Sequence, residues 1–143
     1  MGPADDSLHD ATRECLGRLF GLFPSGGAPA ADRPWERAVV VGFRGDKTGH
    51  FRLDLYGGAH ADLVARWIGG PVEDGDGNDV AGEFANILCC HVLPALFTPR
   101  ALFQVESPRA HTAPPTAVPR PLAVTRLAMP TGWIEARVVL GTA

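Results

Sequence analysis

Cysteine is scarce in this chain, and the cysteines present do not form a binding pattern. The 143 residues include only Cys15, Cys89 and Cys90, an odd number without any C-x-x-C pair. This pattern argues against a zinc knuckle and against a disulfide framework. It favours reduced thiols, as in the cytoplasm, and it predicts no metal site.

The sequence also lacks an excess of positive charge and any long apolar run. Its formal net charge is −3, so no overall field attracts nucleic acid or an anionic membrane surface. The longest apolar stretch, Ile87 to Phe97, is interrupted by His91 and is too short to span a bilayer. The acidic start of the chain has no apolar signal segment. These absences predict a cytoplasmic protein that binds neither nucleic acid nor membranes.

The chain does contain enough apolar sequence for a packed core. Hydrophobic residues make up 45% of it and charged residues 20%, a balance that excludes a disordered tail. A domain of this length buries roughly 70% of the surface that its unfolded chain exposes, so packing alone can stabilise it. We therefore predict a single domain over 1–143, with irregular Pro- and Gly-rich loops at 24–34 and 107–121.

Hydrophobic periodicity predicts three helices and five strands. The helices are expected over 8–23 with Ser7 or Asp6 as N-cap, over 58–68, and from 76–79 to at least 91, where Pro94 should end or kink the last one. The strands are expected over 37–44, 50–56, 102–106, 122–128 and 133–140. The order α-β-β-α-α-β-β-β, with hairpins between strands, predicts an α+β fold in which helices cover an antiparallel sheet.

The third predicted helix carries a polar stripe. Asp79, Glu83, Asn86 and Cys90 fall within an arc of about 60° around the helix axis. The apolar positions are assigned to the opposite, packed side: Val80, Phe84, Ile87, Leu88 and Val92. A solvated helix face would show the same stripe, and Asp79 would also suit the helix N-terminus. The pattern alone therefore leaves a structural and a functional interpretation open.

The stretch NDVAGEFANILCC resembles the phosphatase signature of the CheC/CheX/FliY chemotaxis family. The matching positions are Asp79, Glu83, Asn86 and, after a further strand, Pro108. The order of helices and strands is similar to the CheX branch, which carries a single copy of the signature. This resemblance implies a CheX-like α+β fold for nearly the whole chain.

The first helix carries an incomplete copy of the signature. Asp10 and Glu14 stand at the spacing of the two acidic positions, but Gly17 stands where a second copy would have its asparagine. The resemblance therefore implies one functional site, on the third helix, and a purely structural role for the incomplete copy on the first helix.

The resemblance implies a phosphatase that hydrolyses the aspartyl phosphate of a phosphorylated CheY-like response regulator. Asn86 is implied to orient the attacking water and Glu83 to dock on the active site of the regulator, as the two catalytic residues. Asp79 and Cys90 are implied to contact the partner. The protein would need no cofactor of its own, because the regulator supplies Mg²⁺. The CheX branch also implies a homodimer.

Two departures from the family pattern keep alternatives open. Cys90 stands where family members commonly have a glycine, and the spacing from Asn86 to Pro108 is one residue shorter than usual. An alternative is a non-catalytic adaptor that binds a receiver domain. A third is an α+β domain that binds a small molecule in an apolar pocket away from Glu83.

Overall fold

Three helices and six strands form the described part of this computed structural model, which covers residues 2–24, 32–68, 80–116 and 120–141. The helices are α1 (Pro3–Phe20), α2 (Ala59–Ile68) and α3 (Val80–Leu96). The strands are β1 (Trp35–Gly45), β2 (Gly49–Gly57), β3 (Phe103–Val105), β4 (Arg109–His111), β5 (Ala123–Ala128) and β6 (Gly132–Leu140). No helix of these ranges combines the length and the apolar character needed to cross a membrane.

All strand pairs are antiparallel, and the sheet has the order β3-β1-β2-β6-β5, with β4 also paired to β1. The side chains on one face of the sheet form a single core with the helices. This core includes Phe43, Phe51 and Ile134 from strands and Leu16 and Phe84 from helices. The predicted α+β class, with helices over an antiparallel sheet, is confirmed.

The first helix begins and ends earlier than predicted. Pro3 occupies its first turn, where the missing N–H costs nothing, and Asp5 accepts a hydrogen bond from the Gly2 backbone N–H. The predicted N-cap at Ser7 or Asp6 is therefore wrong. The helix ends at Phe20 because Gly21 adopts a left-handed conformation with φ of 65°.

Pro94 does not end the third helix. The helix continues to Leu96, and the Phe97 N–H donates to the Leu93 carbonyl at 3.1 Å. Proline removes one hydrogen bond from a helix interior, and burial of Leu93 against the core supports the helix beyond that point. The predicted start at 76–79 lies outside the described residues.

The predicted loop over 107–121 contains a strand that the sequence did not reveal. β4 pairs with Ala38 to Val40 of β1, although it is only three residues long and a proline directly precedes it. So short a segment gives no periodicity. In β6, Ile134, Ala136 and Val138 are fully buried in the core, whereas Leu140 at the strand end is partly exposed.

Two carboxylates lie on the outer face of the sheet, which we define as the face turned away from the helices. Asp54 is 0% exposed and accepts hydrogen bonds from Arg52 and from the Trp35 indole N–H at 2.9 Å. Glu135 is 2% exposed and pairs with Arg126 and Arg137. These arginines compensate the cost of removing the two carboxylates from water.

Glu135 should make the protein sensitive to acid. Burial raises the pKa of Glu135, but hydrogen bonds and charge from Arg137 and Arg126 outweigh burial, and the net shift is downward. A lowered pKa in the folded state gives stability that is present above the unfolded-state value and is lost as pH falls through the folded-state value. We expect the free energy of unfolding in urea to fall less steeply with acidification in Glu135→Gln than in the wild type. Equal slopes would contradict this assignment.

Candidate functional site

An open cleft lies beside one side of α3. It has a volume of about 530 Å³, and its lining residues are Glu83, Asn86, Ile87, Cys90 and Pro108. The four α3 residues are three or four positions apart and therefore lie on one side of the helix. Pro108, which lies between β3 and β4, completes the lining.

The buried side of α3 fixes which side chains reach the cleft. Phe84, Leu88 and Val92 are 0% exposed, and the Phe84 ring meets the Phe20 ring of α1 edge to face at 5.0 Å. Turning the helix would expose these side chains to water. Glu83, Asn86 and Cys90 are therefore held outward by the core.

Glu83 and Asn86 are both accessible from the cleft. Glu83 is exposed, and within the described residues its side chain makes no hydrogen bond or ion pair. Asn86 is half-buried, and the Cys90 thiol donates to its Oδ1 at 3.8 Å. Glu83 can pair with a cation, and the Asn86 amide can both donate and accept a hydrogen bond. Asp79, the remaining predicted site residue, lies outside the described residues.

Ile87 was assigned to the packed side of α3, and this assignment is wrong. Its side chain is 40% exposed and lines the cleft next to Asn86. Ile87 lies only about 40° around the helix from Glu83, so the pattern places it at the border between the two sides. The cleft therefore offers an apolar contact beside its polar groups.

The thiols near the cleft are neutral. Burial raises the pKa of Cys90, and burial together with Cys90 raises the pKa of Cys89 to about 12. A protonated thiol is a poor nucleophile and a weak hydrogen-bond donor. Cys90 therefore presents to the cleft a neutral side chain in contact with Asn86, not a nucleophile. Elsewhere in the described ranges, too, no three His, Cys, Asp or Glu side chains converge as metal ligands would.

The corresponding surface of α1 also borders an open cleft, of about 470 Å³, but it presents different groups. A Cβ added at Gly17 would lie 2.8 Å from Cε1 of Phe23, so the Phe23 ring occupies the place of a larger side chain. Glu14 pairs with Arg18 and lies 3.4 Å from Nε2 of His91. The incomplete copy on α1 thus lacks the amide, and the carboxylate that corresponds to Glu83 is already paired.

A second cleft of about 390 Å³ adjoins the first, and sequence reasoning missed it. Pro108 lines both clefts, and the second continues along Ala81 and Gly82 of α3 toward Trp35 and His111. No signal in the sequence could have located it, because β4 forms one wall and was predicted as a loop.

Fold and cleft together define an α+β protein whose sheet is covered by helices, one of which presents a glutamate and an asparagine to an open cleft. Solved structures of CheX proteins share this fold over nearly the whole chain. No family model and no curated protein sequence matches the chain significantly.

The structural similarity extends across species. CheX from Desulfovibrio desulfuricans is 20% identical with a TM-score of 0.74, and the match covers 96% of this chain and 99% of that one. CheX from Vibrio vulnificus is 12% identical with a TM-score of 0.73, and the match covers 98% of this chain and 100% of that one. The matching chain of the CheX–CheY–BeF3–Mg²⁺ complex from Borrelia burgdorferi is 14% identical with a TM-score of 0.69, and the match covers 96% of this chain and 97% of that one. The chain therefore has the CheX fold.

Proposed function

We propose that the protein is a CheX-like member of the CheC/CheX/FliY family and hydrolyses the aspartyl phosphate of a CheY-like response regulator. The observation that carries this proposal is the presentation of Glu83 and Asn86 to one open cleft by a helix that the core holds in place. The Borrelia burgdorferi neighbour, a complex of CheX with CheY, supports a receiver domain as the partner.

The reaction needs little chemistry from this chain. An aspartyl phosphate is an activated acyl phosphate, and a receiver domain would bring its own Mg²⁺ and lysine, so no cofactor is needed here. The missing component is a water placed in line with the P–O bond. Asn86 supplies an acceptor for a water proton and a donor that fixes its orientation. Attack on phosphorus forms a P–O bond to water and breaks the P–O bond to the aspartate, releasing phosphate.

Glu83 acts as the docking residue. Its exposed carboxylate lies one turn before Asn86 and is free to pair with the regulator lysine. Ile87 adds apolar surface beside it, and Cys90 and Asp79 complete the contact with the partner. The direct test is loss of the phosphoryl group from acetyl-phosphate-labelled receiver domains with and without this protein. Acceleration supports the phosphatase, and its absence for every receiver domain of the same organism contradicts it.

A non-catalytic adaptor is the second candidate, and Cys90 favours it. Its side chain protrudes into the cleft where the family commonly has glycine, and its thiol occupies one acceptor position of Asn86. Binding of an activated receiver domain without faster dephosphorylation would support the adaptor over the phosphatase.

We expect Glu83→Ala to weaken both binding and turnover. Loss of a charge-assisted hydrogen bond should weaken affinity for a BeF3-activated receiver by about tenfold. Calorimetry and the dephosphorylation assay measure the two effects. The matched control is Glu14→Ala, which removes the exposed glutamate at the corresponding position of α1 and should change neither. Unchanged turnover in Glu83→Ala would place the docking contact elsewhere.

The assembly is also part of the proposal. β5 lies at one edge of the sheet, and an edge strand can pair with a second copy, although the Val124 N–H already donates to Asp5 Oδ1 at 2.8 Å. We propose a homodimer of single domains spanning 1–143, located in the cytoplasm. Sedimentation equilibrium measures the dimer directly.

A further inference from the structure

The outer face of the sheet carries a cluster of positive side chains that the proposed phosphatase reaction does not use. In the described residues this face presents five arginines and three carboxylates, although the whole chain has a net charge of −3. The arginines are Arg44, Arg52, Arg109, Arg126 and Arg137, and the carboxylates are Asp54, Glu106 and Glu135. Positive charge is therefore concentrated here against the overall balance.

Strand register places three of these arginines in one row. Arg109 of β4 lies opposite Val40 of β1, Val40 opposite Arg52 of β2, and Arg52 opposite Arg137 of β6. Like charges directly opposite each other on neighbouring strands repel and destabilise a sheet. Arg52 and Arg137 are compensated by Asp54 and Glu135 along their own strands, but no ion pair compensates Arg109 among the described residues.

His50 lies beside this row. It faces Gly42 in the next register position, and its Nδ1 is buried without a hydrogen-bond partner in the described residues. Burial lowers the pKa of His50, and the surrounding side chains Arg52, Arg109, Arg137 and His111 lower it further. A buried polar nitrogen without a partner is costly unless a water or a ligand satisfies it.

We propose that Arg109, Arg52 and His50 form a binding site for a phosphate-type oxyanion on the outer face of the sheet. Arg109 suits such a ligand because its planar donors match two oxygens of a phosphate. Arg52 contributes only Nη1, because its Nε and Nη2 already donate to Asp54 and to the Ala113 carbonyl. A small anion over Val40 would relieve the repulsion along the row, and one of its oxygens would accept a hydrogen bond from Nδ1 of the neutral His50 ring. This site goes beyond the proposed phosphatase function and does not depend on it.

Glu106 is the internal competitor for this site. A Cβ added at Gly42 would clash with Glu106 Oε1, so this carboxylate lies over Gly42, directly beside the position that the anion would take. In the described residues its side chain has no hydrogen bond or ion pair. An incoming anion would be repelled by Glu106, and removal of its charge should therefore tighten binding.

Titration of the full-length protein with inorganic phosphate at constant ionic strength tests the proposal. We expect saturable binding, with ring resonances of His50 and His111 shifting while those of His9 and His91 stay fixed. Arg109→Ala should weaken binding by about tenfold. Glu106→Gln should tighten it, and the matched control Arg100→Ala, which removes an exposed arginine elsewhere, should leave it unchanged.

A phosphoserine tripeptide distinguishes the source of the group. Tighter binding of the peptide than of inorganic phosphate would assign a phosphorylated side chain as the natural ligand, and equal binding would assign a free anion. Absence of saturable binding overturns the proposal, and so does equal affinity of wild type, Arg109→Ala and Arg100→Ala. Because no receiver domain is present, failure here leaves the phosphatase assay unaffected.

Discussion

Replacing Asn86 with alanine should reduce dephosphorylation of the regulator by about 100-fold or more. The reason is positional, because the amide is the group in the cleft that can hold a water by two hydrogen bonds. Without it the water loses its alignment with the P–O bond while Mg²⁺ and lysine of the regulator remain in place. Release of phosphate from a labelled receiver domain, followed under single-turnover conditions, measures the effect.

The control for Asn86→Ala is the affinity of the variant for the receiver domain. Asn86 is half-buried at the rim of an open cleft, so its truncation should leave the fold unchanged. Affinity for a BeF3-activated receiver domain should stay close to that of the wild type, because Glu83 provides docking. Retained turnover in Asn86→Ala would show that another group orients the water. Loss of affinity together with turnover would instead make Asn86 a docking residue.

The side of α3 that carries the candidate site could be predicted because helix periodicity links it to the core. Phe84, Leu88 and Val92 recur at intervals that place them together, and this alone turns Glu83 and Asn86 outward. The α+β class followed similarly from the order of apolar segments. These features depend on local spacing, which a single sequence contains.

Features that depend on pairing between distant segments could not be predicted. β4 forms only because β1 offers an edge to it, and its three residues have no pattern of their own. That pairing forms the wall of the second cleft that β4 provides, and it places Arg109 in the arginine row. Asp54 and Glu135 alternate with apolar residues as solvated side chains would, yet both are buried. Each pairs with an arginine of its own strand and with one partner from a neighbouring strand, Trp35 for Asp54 and Arg126 for Glu135. The register between strands therefore decides which polar side chains are buried, and a single sequence does not show that register.

Asp54→Ala should produce the largest loss of stability among the polar substitutions considered. Asp54 is 0% exposed and accepts from Arg52 Nε, from Arg52 Nη2 and from the Trp35 indole, each at 2.9 Å. Its removal leaves Arg52, whose side chain is 11% exposed, without its carboxylate and directly opposite Arg137. Breaking one partner of a buried pair costs about 3–5 kcal/mol. We expect the urea midpoint to fall accordingly, with equilibrium unfolding as the measurement.

A matched substitution separates burial from charge pairing as such. Glu14 also pairs with an arginine, Arg18, but both side chains are more than half exposed, so Glu14→Ala should cost at most about 1 kcal/mol. The double variant Asp54→Ala with Arg52→Leu should recover part of the stability lost in Asp54→Ala, because it removes the uncompensated charge. A loss in Asp54→Ala no larger than that in Glu14→Ala would mean that water reaches Arg52 and replaces the carboxylate. In that case the arginine row of the outer face would be solvated, and its excess of positive charge would be screened.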